Sequence, residues 1–223
     1  ESPDDTWLFI GRHPQSTSNL FGTIQDYIHY SPPTLLGLIQ VRVFRAFMRQ
    51  MGFKFDRIYS SKLERADALV SPVAADQRLP VKKLRRLREI TTLGFGGFNK
   101  HLVAELRERR RVEFVSSPEE FWSYGFSGKR FRRHVENFLF EELPAGPDRS
   151  VLFGTHGMTI LNLLVYALRI PPEKYEAVFK KLDNSPNVAL TVMSYSPATK
   201  EWKLWVYADN SYVPGRLGST NNP

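Results

Sequence analysis

Two short apolar runs in this chain end in the same way. Trp7 to Ile10 leads into Gly11-Arg12-His13, and Val151 to Phe153 leads into Gly154-Thr155-His156. Each run reads as a buried strand, and Pro14 closes the first because it has no N–H to give to a ladder. In an open parallel sheet, ligands bind in the crevice beyond the carboxyl ends of the strands. Both histidines fall at that level, and one has an arginine neighbour. The guanidinium fork of Arg12 suits an anion such as phosphate, and an imidazole can act as a nucleophile. Met158 to Ile170 reads as a buried helix, which puts His156 near a helix N-terminus, where backbone donors favour an anion. Taken alone, Arg12-His13 is equally well an ordinary loop with a charged pair. The second histidine shifts the reading toward a phosphate pocket.

The rest of the chain alternates between strand and helix patterns. Thr34 to Met51 carries Leu35, Leu36, Ile39, Val43, Phe44, Phe47, Met48 and Met51 as a helical stripe, with Thr34 as cap and Gly52 as stop. Phe55 to Tyr59 reads as a second strand. Ser60-Ser61 opens a helix that carries Arg65 one turn in, where its side chain can reach back to the strand ends. Lys129 to Leu143 reads as a helix packed on the sheet through Phe131, Val135, Phe138, Leu139 and Leu143. Val188 to Met193 and Trp202 to Tyr207 read as the last two strands. The expected fold is α/β: a three-layer sandwich with a mostly parallel central sheet and helices on both faces. One domain is expected over 1–213, with a small cap around 95–127 and a flexible tail over 214–223.

Composition narrows the partners. The chain has 31 Lys plus Arg against 23 Asp plus Glu, a net charge of +8, which favours an anionic partner. The basic runs Lys82 to Arg88 and Arg109 to Arg111 read as solvated faces, so no nucleic acid is expected. Cysteine is absent, which removes disulfides and thiolate metal sites and fits a reducing compartment; a cytoplasmic location is the expectation. No apolar run reaches the roughly 18 residues of a membrane helix. The chain starts at Glu1 rather than Met, so processing is expected and any targeting segment would lie outside it. His29, His101 and His134 lie away from these features and read as solvent or packing histidines.

Arg12-His13-Pro14-Gln15-Ser16-Thr17-Ser18-Asn19 resembles the Arg-His-Gly-x-Ser/Thr-x-x-Asn signature of the histidine phosphatase superfamily, the phosphoglycerate-mutase-like clan, with Pro14 in place of the family's Gly. Further stretches follow in family order. Ser31 to Gln40 resembles Leu-Thr-x-x-Gly-x-x-Gln. Ile58-Tyr59-Ser60-Ser61-Lys62-Leu63-Glu64-Arg65-Ala66 resembles Ile-Tyr-Ser-Ser-x-Leu-x-Arg-Ala, and Thr155-His156-Gly157 resembles Ser-His-Gly. Leu87-Arg88-Glu89 resembles Leu-x-Glu, whose Glu is the family's usual proton donor.

The resemblance implies chemistry at named positions. His13 would be the nucleophile that becomes phosphohistidine. Arg12, Arg65 and His156 would cradle the phosphoryl group, with Ser16, Asn19 and a backbone N–H near Gly157 as substrate-binding donors. Glu89 would protonate the leaving oxygen and then activate water. Clustered positive charge lowers a carboxyl pKa, so Glu89 has to be partly buried to hold a proton. No metal and no cofactor are called for. The expected activity is a phosphatase acting on a phosphate monoester, either a small phosphorylated metabolite or a phosphoprotein. Gly97-Phe98-Asn99-Lys100 resembles the Gly-Leu-Asn-Lys of the mutases and keeps open a cofactor-dependent phosphoglycerate mutase. A catalytically silent member that binds a phosphorylated ligand or a partner is the third reading.

Overall fold

The computed structural model describes residues 2–25, 29–85, 88–89, 96–102, 105, 128–143, 149–182 and 185–218. Its centre is a six-stranded sheet in the order β3-β2-β4-β1-β5-β6. The strands are β1 (Thr6–Arg12), β2 (Arg57–Ser61), β3 (Val81–Leu84), β4 (Ser150–Thr155), β5 (Leu190–Ser196) and β6 (Glu201–Asp209). β1 to β4 are mutually parallel, whereas β5 runs antiparallel to β1 and pairs with β6 as a hairpin. The mostly parallel sheet expected from the alternation is therefore present, with antiparallel strands added at one edge.

The side-chain period of two assigns each strand residue to one of two cores. Leu8 and Ile10 of β1, Val151 and Phe153 of β4, and Met193 of β5 face one way. They meet α4 (Gly128–Asn137) and its π-helical continuation over Phe138–Glu142, together with α5 (Gly157–Ala167). Phe9, Ile58, Leu152 and Val192 face the other way, against α2 (Leu35–Gln50) and α3 (Glu64–Gln77). Helices thus cover both faces of the sheet. A short α1 (Thr17–Leu20) follows β1, and α6 (Tyr175–Leu182) follows α5.

The repeated Gly-x-His pattern now has a physical reason. Gly11 and Gly154 are register partners on β1 and β4. A Cβ on Gly11 would come within 2.6 Å of Leu69, and one on Gly154 within 2.7 Å of the Ala66 backbone oxygen. The two bare positions let α3 press against the sheet at the level where the strands end. That close approach draws Arg65, in the first turn of α3, toward both histidines.

One expectation is corrected. The buried face of α2 is Gly37, Gln40, Val41, Phe44 and Met48, whereas Ile39, Met51 and Leu35 are exposed, Leu35 to 82%. The reason is local. A Cβ at Gly37 would sit 2.1 Å from the Gln15 carbonyl oxygen, so this side must face the loop after β1. Gln40 on the same side accepts a hydrogen bond from Gln15 N at 2.7 Å. Backbone satisfaction fixes the helix's rotation and leaves the first-turn leucine in solvent. Within the tail expected to be flexible from 214, Leu217 N donates to Pro214 O, and Leu217 O accepts from Gln40 Nε2 at 2.7 Å. Residues 219–223 lie outside the described residues, as does most of the expected cap.

Thr34 caps α2 as expected, its hydroxyl accepting from Gly37 N at 3.0 Å, and Gly52 stops the helix at a positive φ of 69°. The basic run from Lys82 lies on the edge strand β3, where Lys82 and Lys83 are exposed and Lys83 pairs with Asp67 at 2.8 Å. Exposed lysines are a common way to blunt an edge. Arg109 to Arg111 lie outside the described residues. Among the described residues no helix is long and apolar enough to cross a membrane.

Candidate active site

β1, β2 and β4 deliver Arg12, His13, Ser61 and His156 at one level because the three strands are parallel. His13 follows β1 directly and stays in register, its N–H donating to Thr155 O at 2.9 Å. It is 1% exposed. Its Nδ1 donates to Pro14 O at 2.7 Å, so in the neutral ring the unprotonated nitrogen is Nε2. Proline meets the need at position 14, which is a carbonyl acceptor for the ring. The next residue makes the turn's other bonds: Thr34 N donates to Gln15 O at 3.0 Å, and Thr34 Oγ1 to Gln15 Oε1 at 2.7 Å.

His156 is the cap residue of α5 and fully buried. Its ring centroid lies 5.2 Å from that of His13. Arg65 is 2% exposed, and Arg12 is also buried. A Cβ on Gly157 would stand 3.6 Å from Arg12 Nε, which places the Arg12 guanidinium beside the first turn of α5. Burial, then Arg65, then Arg12 hold the His13 pKa well below its usual value, outweighing its bonds to Pro14 and Gln25. His156 is lowered for the same leading reasons: burial, then Arg65, with His13 and Arg12 adding to them. Two neutral imidazoles and two buried arginines thus share one pocket.

Ser16 and Asn19 form its second wall. Asn19 Oδ1 accepts from Ser16 N and from Ser16 Oγ, both at 3.1 Å, which turns the amide nitrogen of Asn19 away from the cap. Gln25 Nε2 donates to Ser16 Oγ at 3.2 Å. Glu89 is half-buried. Its neighbour Arg88 is tied to the site's helix, with Thr159 Oγ1 donating to Arg88 O at 3.3 Å.

A model of the histidine phosphatase superfamily (branch 1) matches residues 8–208. The chain belongs to this superfamily. No curated protein matches it. Among solved structures, phosphoserine phosphatase from Entamoeba histolytica in complex with 3-phosphoglyceric acid is 22% identical with a TM-score of 0.73, covering 94% of this chain and 100% of its own. Mycobacterial glucosyl-3-phosphoglycerate phosphatase is 20% identical with a TM-score of 0.71, covering 92% and 100%. The alpha-ribazole phosphatase from Shigella flexneri is 18% identical with a TM-score of 0.71, covering 92% and 96%. At this level of identity the likeness establishes the fold.

Sequence reasoning on this member of the superfamily missed several residues that hold the pocket. Asn187 is buried and its Nδ2 donates to His13 O at 2.9 Å and to Asn19 Oδ1 at 3.3 Å, so it joins the two halves of the first signature. Val188, at a φ of 54°, donates its N–H to Arg12 O. The polar Ser185-Pro186-Asn187 ahead of an apolar strand is the only local signal, and it marks a turn rather than a site. Ser61 touches His156 and lay inside a quoted motif without a role.

Burying two neutral histidines makes stability depend on pH. Below about pH 6.5 the unfolded chain takes up protons on both rings, while the folded chain, with its lowered values, does not. Stability is therefore full above 6.5, falls as the pH drops from there to the folded-state values, and flattens below them. The slope in that window is up to about 1.4 kcal/mol per pH unit per ring. Urea melts between pH 7.5 and 5 should show it for the wild type, and more weakly for His13→Ala and for His156→Ala.

Proposed function

We propose that this chain is a phosphomonoesterase that works through a phosphohistidine at His13. The observation that carries the reading is the Nδ1–H to Pro14 O bond, which leaves the Nε2 lone pair as the nucleophile of a neutral, buried ring. Nε2 attacks phosphorus, and the bond from phosphorus to the ester oxygen breaks with its electron pair on that oxygen. Glu89 supplies the proton the leaving oxygen needs. Arg12 and Arg65 offset charge on the equatorial oxygens, where fixed cations stabilise the transition state most. In the second half Glu89 takes a proton from water, the water oxygen attacks phosphorus, and the P–N bond breaks to release inorganic phosphate and neutral His13.

Ser16, Asn19 and the Gly157 N–H complete the substrate contacts in this reading. The substrate is a small phosphorylated metabolite or a phosphoprotein. The mutase reading rests on the resemblance of Gly97 to Lys100 to the Gly-Leu-Asn-Lys of the mutases, a stretch held against 22–24 by Gly97 N donating to Ile24 O and Lys100 N to Gly22 O. The named experiment is a panel of phosphate esters, including phosphoserine, 3-phosphoglycerate and a phosphopeptide, run in EDTA with and without 2,3-bisphosphoglycerate. Phosphate release in EDTA is expected, because the two arginines supply the positive charge. Turnover that needs an added divalent ion would contradict the reading, and isomerisation of 3-phosphoglycerate only when 2,3-bisphosphoglycerate is added would favour the mutase.

A further inference from the structure

The two buried histidines are neutral, so what each can do depends on which ring nitrogen carries the proton and which edge faces the pocket. Pro14 O settles the question for His13. For His156 the answer lies in Ser61. Ser61 is fully buried at the end of β2, and its Oγ lies 2.7 Å from His156 Nε2. The same Oγ accepts a hydrogen bond from Leu63 N at 3.3 Å. A backbone N–H can only donate, so among the described residues the one acceptor for the Ser61 hydroxyl proton is His156 Nε2. If Nε2 accepts, the proton of the neutral ring sits on Nδ1. That atom is buried and meets no hydrogen-bond acceptor among the described residues.

We propose that Ser61 is a positioning residue that locks His156 as the Nδ1–H tautomer, so that its ring offers a neutral donor to an oxygen of the bound phosphoryl group. The inference rests on the phosphatase reading above. It divides the labour between two rings that carry their proton on the same atom. His13 spends Nδ1–H on Pro14 O and presents a bare Nε2 to phosphorus. His156 spends Nε2 on Ser61 and presents Nδ1–H to oxygen. A buried N–H left without an acceptor costs free energy, and an oxyanion between the rings removes that cost on binding. The donor is neutral, so it adds no further charge to a pocket already holding Arg12 and Arg65. Losing this alignment returns His156 to a mixture of tautomers, in which part of the population turns a lone pair toward the oxyanion.

The test reads the tautomer directly. In ¹⁵N-histidine-labelled protein at pH 7.5, long-range ¹H–¹⁵N spectra should show His156 protonated at Nδ1 and bare at Nε2. A His156 protonated at Nε2 in the wild type overturns the proposal, whatever the protein's substrate is. In Ser61→Ala the Nε2-protonated form should appear, and orthovanadate, read by isothermal titration, should bind about tenfold more weakly, the worth of one hydrogen bond. Ser61→Thr, which returns the hydroxyl, should restore the Nδ1–H signal. An unchanged His156 tautomer in folded Ser61→Ala would also overturn it. The phosphatase reading stands or falls separately, on phosphate release and phosphoenzyme trapping by the wild type.

Discussion

Replacing His13 with alanine is expected to lower phosphate-ester turnover by on the order of 10⁴-fold or more, because loss of a nucleophile removes the whole covalent route rather than one contact. Rapid acid-free quenching with a ³²P-labelled substrate should trap an acid-labile, base-stable phosphoryl group on the wild type and none on His13→Ala. The fold should survive at neutral pH. His13 sits past the end of β1, and its ring is neutral, so no buried charge is left uncompensated by its removal. Glu89→Gln gives the contrast. It keeps the nucleophile and the trap but removes the proton, so it should slow esters of poor leaving groups by about 10²–10⁴-fold and nitrophenyl phosphate far less. A phosphoryl group trapped elsewhere in His13→Ala, or near wild-type turnover, would remove the proposed chemistry and leave a phospho-ligand binder.

The parts of this molecule that were legible are those where one physical demand acts alone. Trp7 to Ile10 and Val151 to Phe153 are buried on both faces, so unbroken apolar runs mark them as strands. The glycines that follow were visible as strand ends, although their purpose was not: Gly11 and Gly154 matter as a pair, and pairing across 143 residues is a fact of register. Where two demands compete, the simpler reading failed. On α2 the apolar stripe pointed to Leu35 and Ile39, but Gly37 and Gln40 must serve the backbone of Gln15, and they set the buried face instead. β3 was hidden because Lys82 and Lys83 point to water on an edge strand, which reads as a charge run. α6 was missed because its eight residues, five apolar and three charged, span barely two turns, too few for a helical period to stand out.

The site divides in the same way. Arg12, His13 and His156 were legible from position alone, as charged groups at the ends of apolar strands. Arg65 and Glu89 were reached through resemblance, since nothing about an arginine in a helix's first turn or a glutamate after a basic run announces a pocket. Asn187, Ser61 and Gln25 were not legible at all. Their roles are hydrogen bonds to other segments of the chain, and isolated polar residues carry no periodicity from which such partners could be inferred.

Arg65 carries the second large expected effect, because in the proposed reaction it would act on substrate as well as on both histidines. It is buried between α3 and the strand ends, and it is the foremost charge lowering the pKa of both rings. Arg65→Met should cut kcat/KM by about 10²–10³-fold, the scale seen when one fixed donor to a developing oxyanion is removed. A second change distinguishes this variant from a merely misfolded one. With that positive charge gone, protonating either ring becomes easier, so the pKa values of His13 and His156 should rise toward the ordinary 6.5. A histidine nucleophile works only when neutral, so residual activity should then be lost at a higher pH than in the wild type as acid is added. The direct measurement is an NMR titration of the two rings in both proteins. Arg65→Lys restores the charge without the planar fork, so it should return the ring pKa values most of the way while recovering only part of kcat/KM. If both ring pKa values stay put in Arg65→Met, burial alone sets them, and the electrostatic coupling between this arginine and the two histidines is not what keeps the nucleophile neutral.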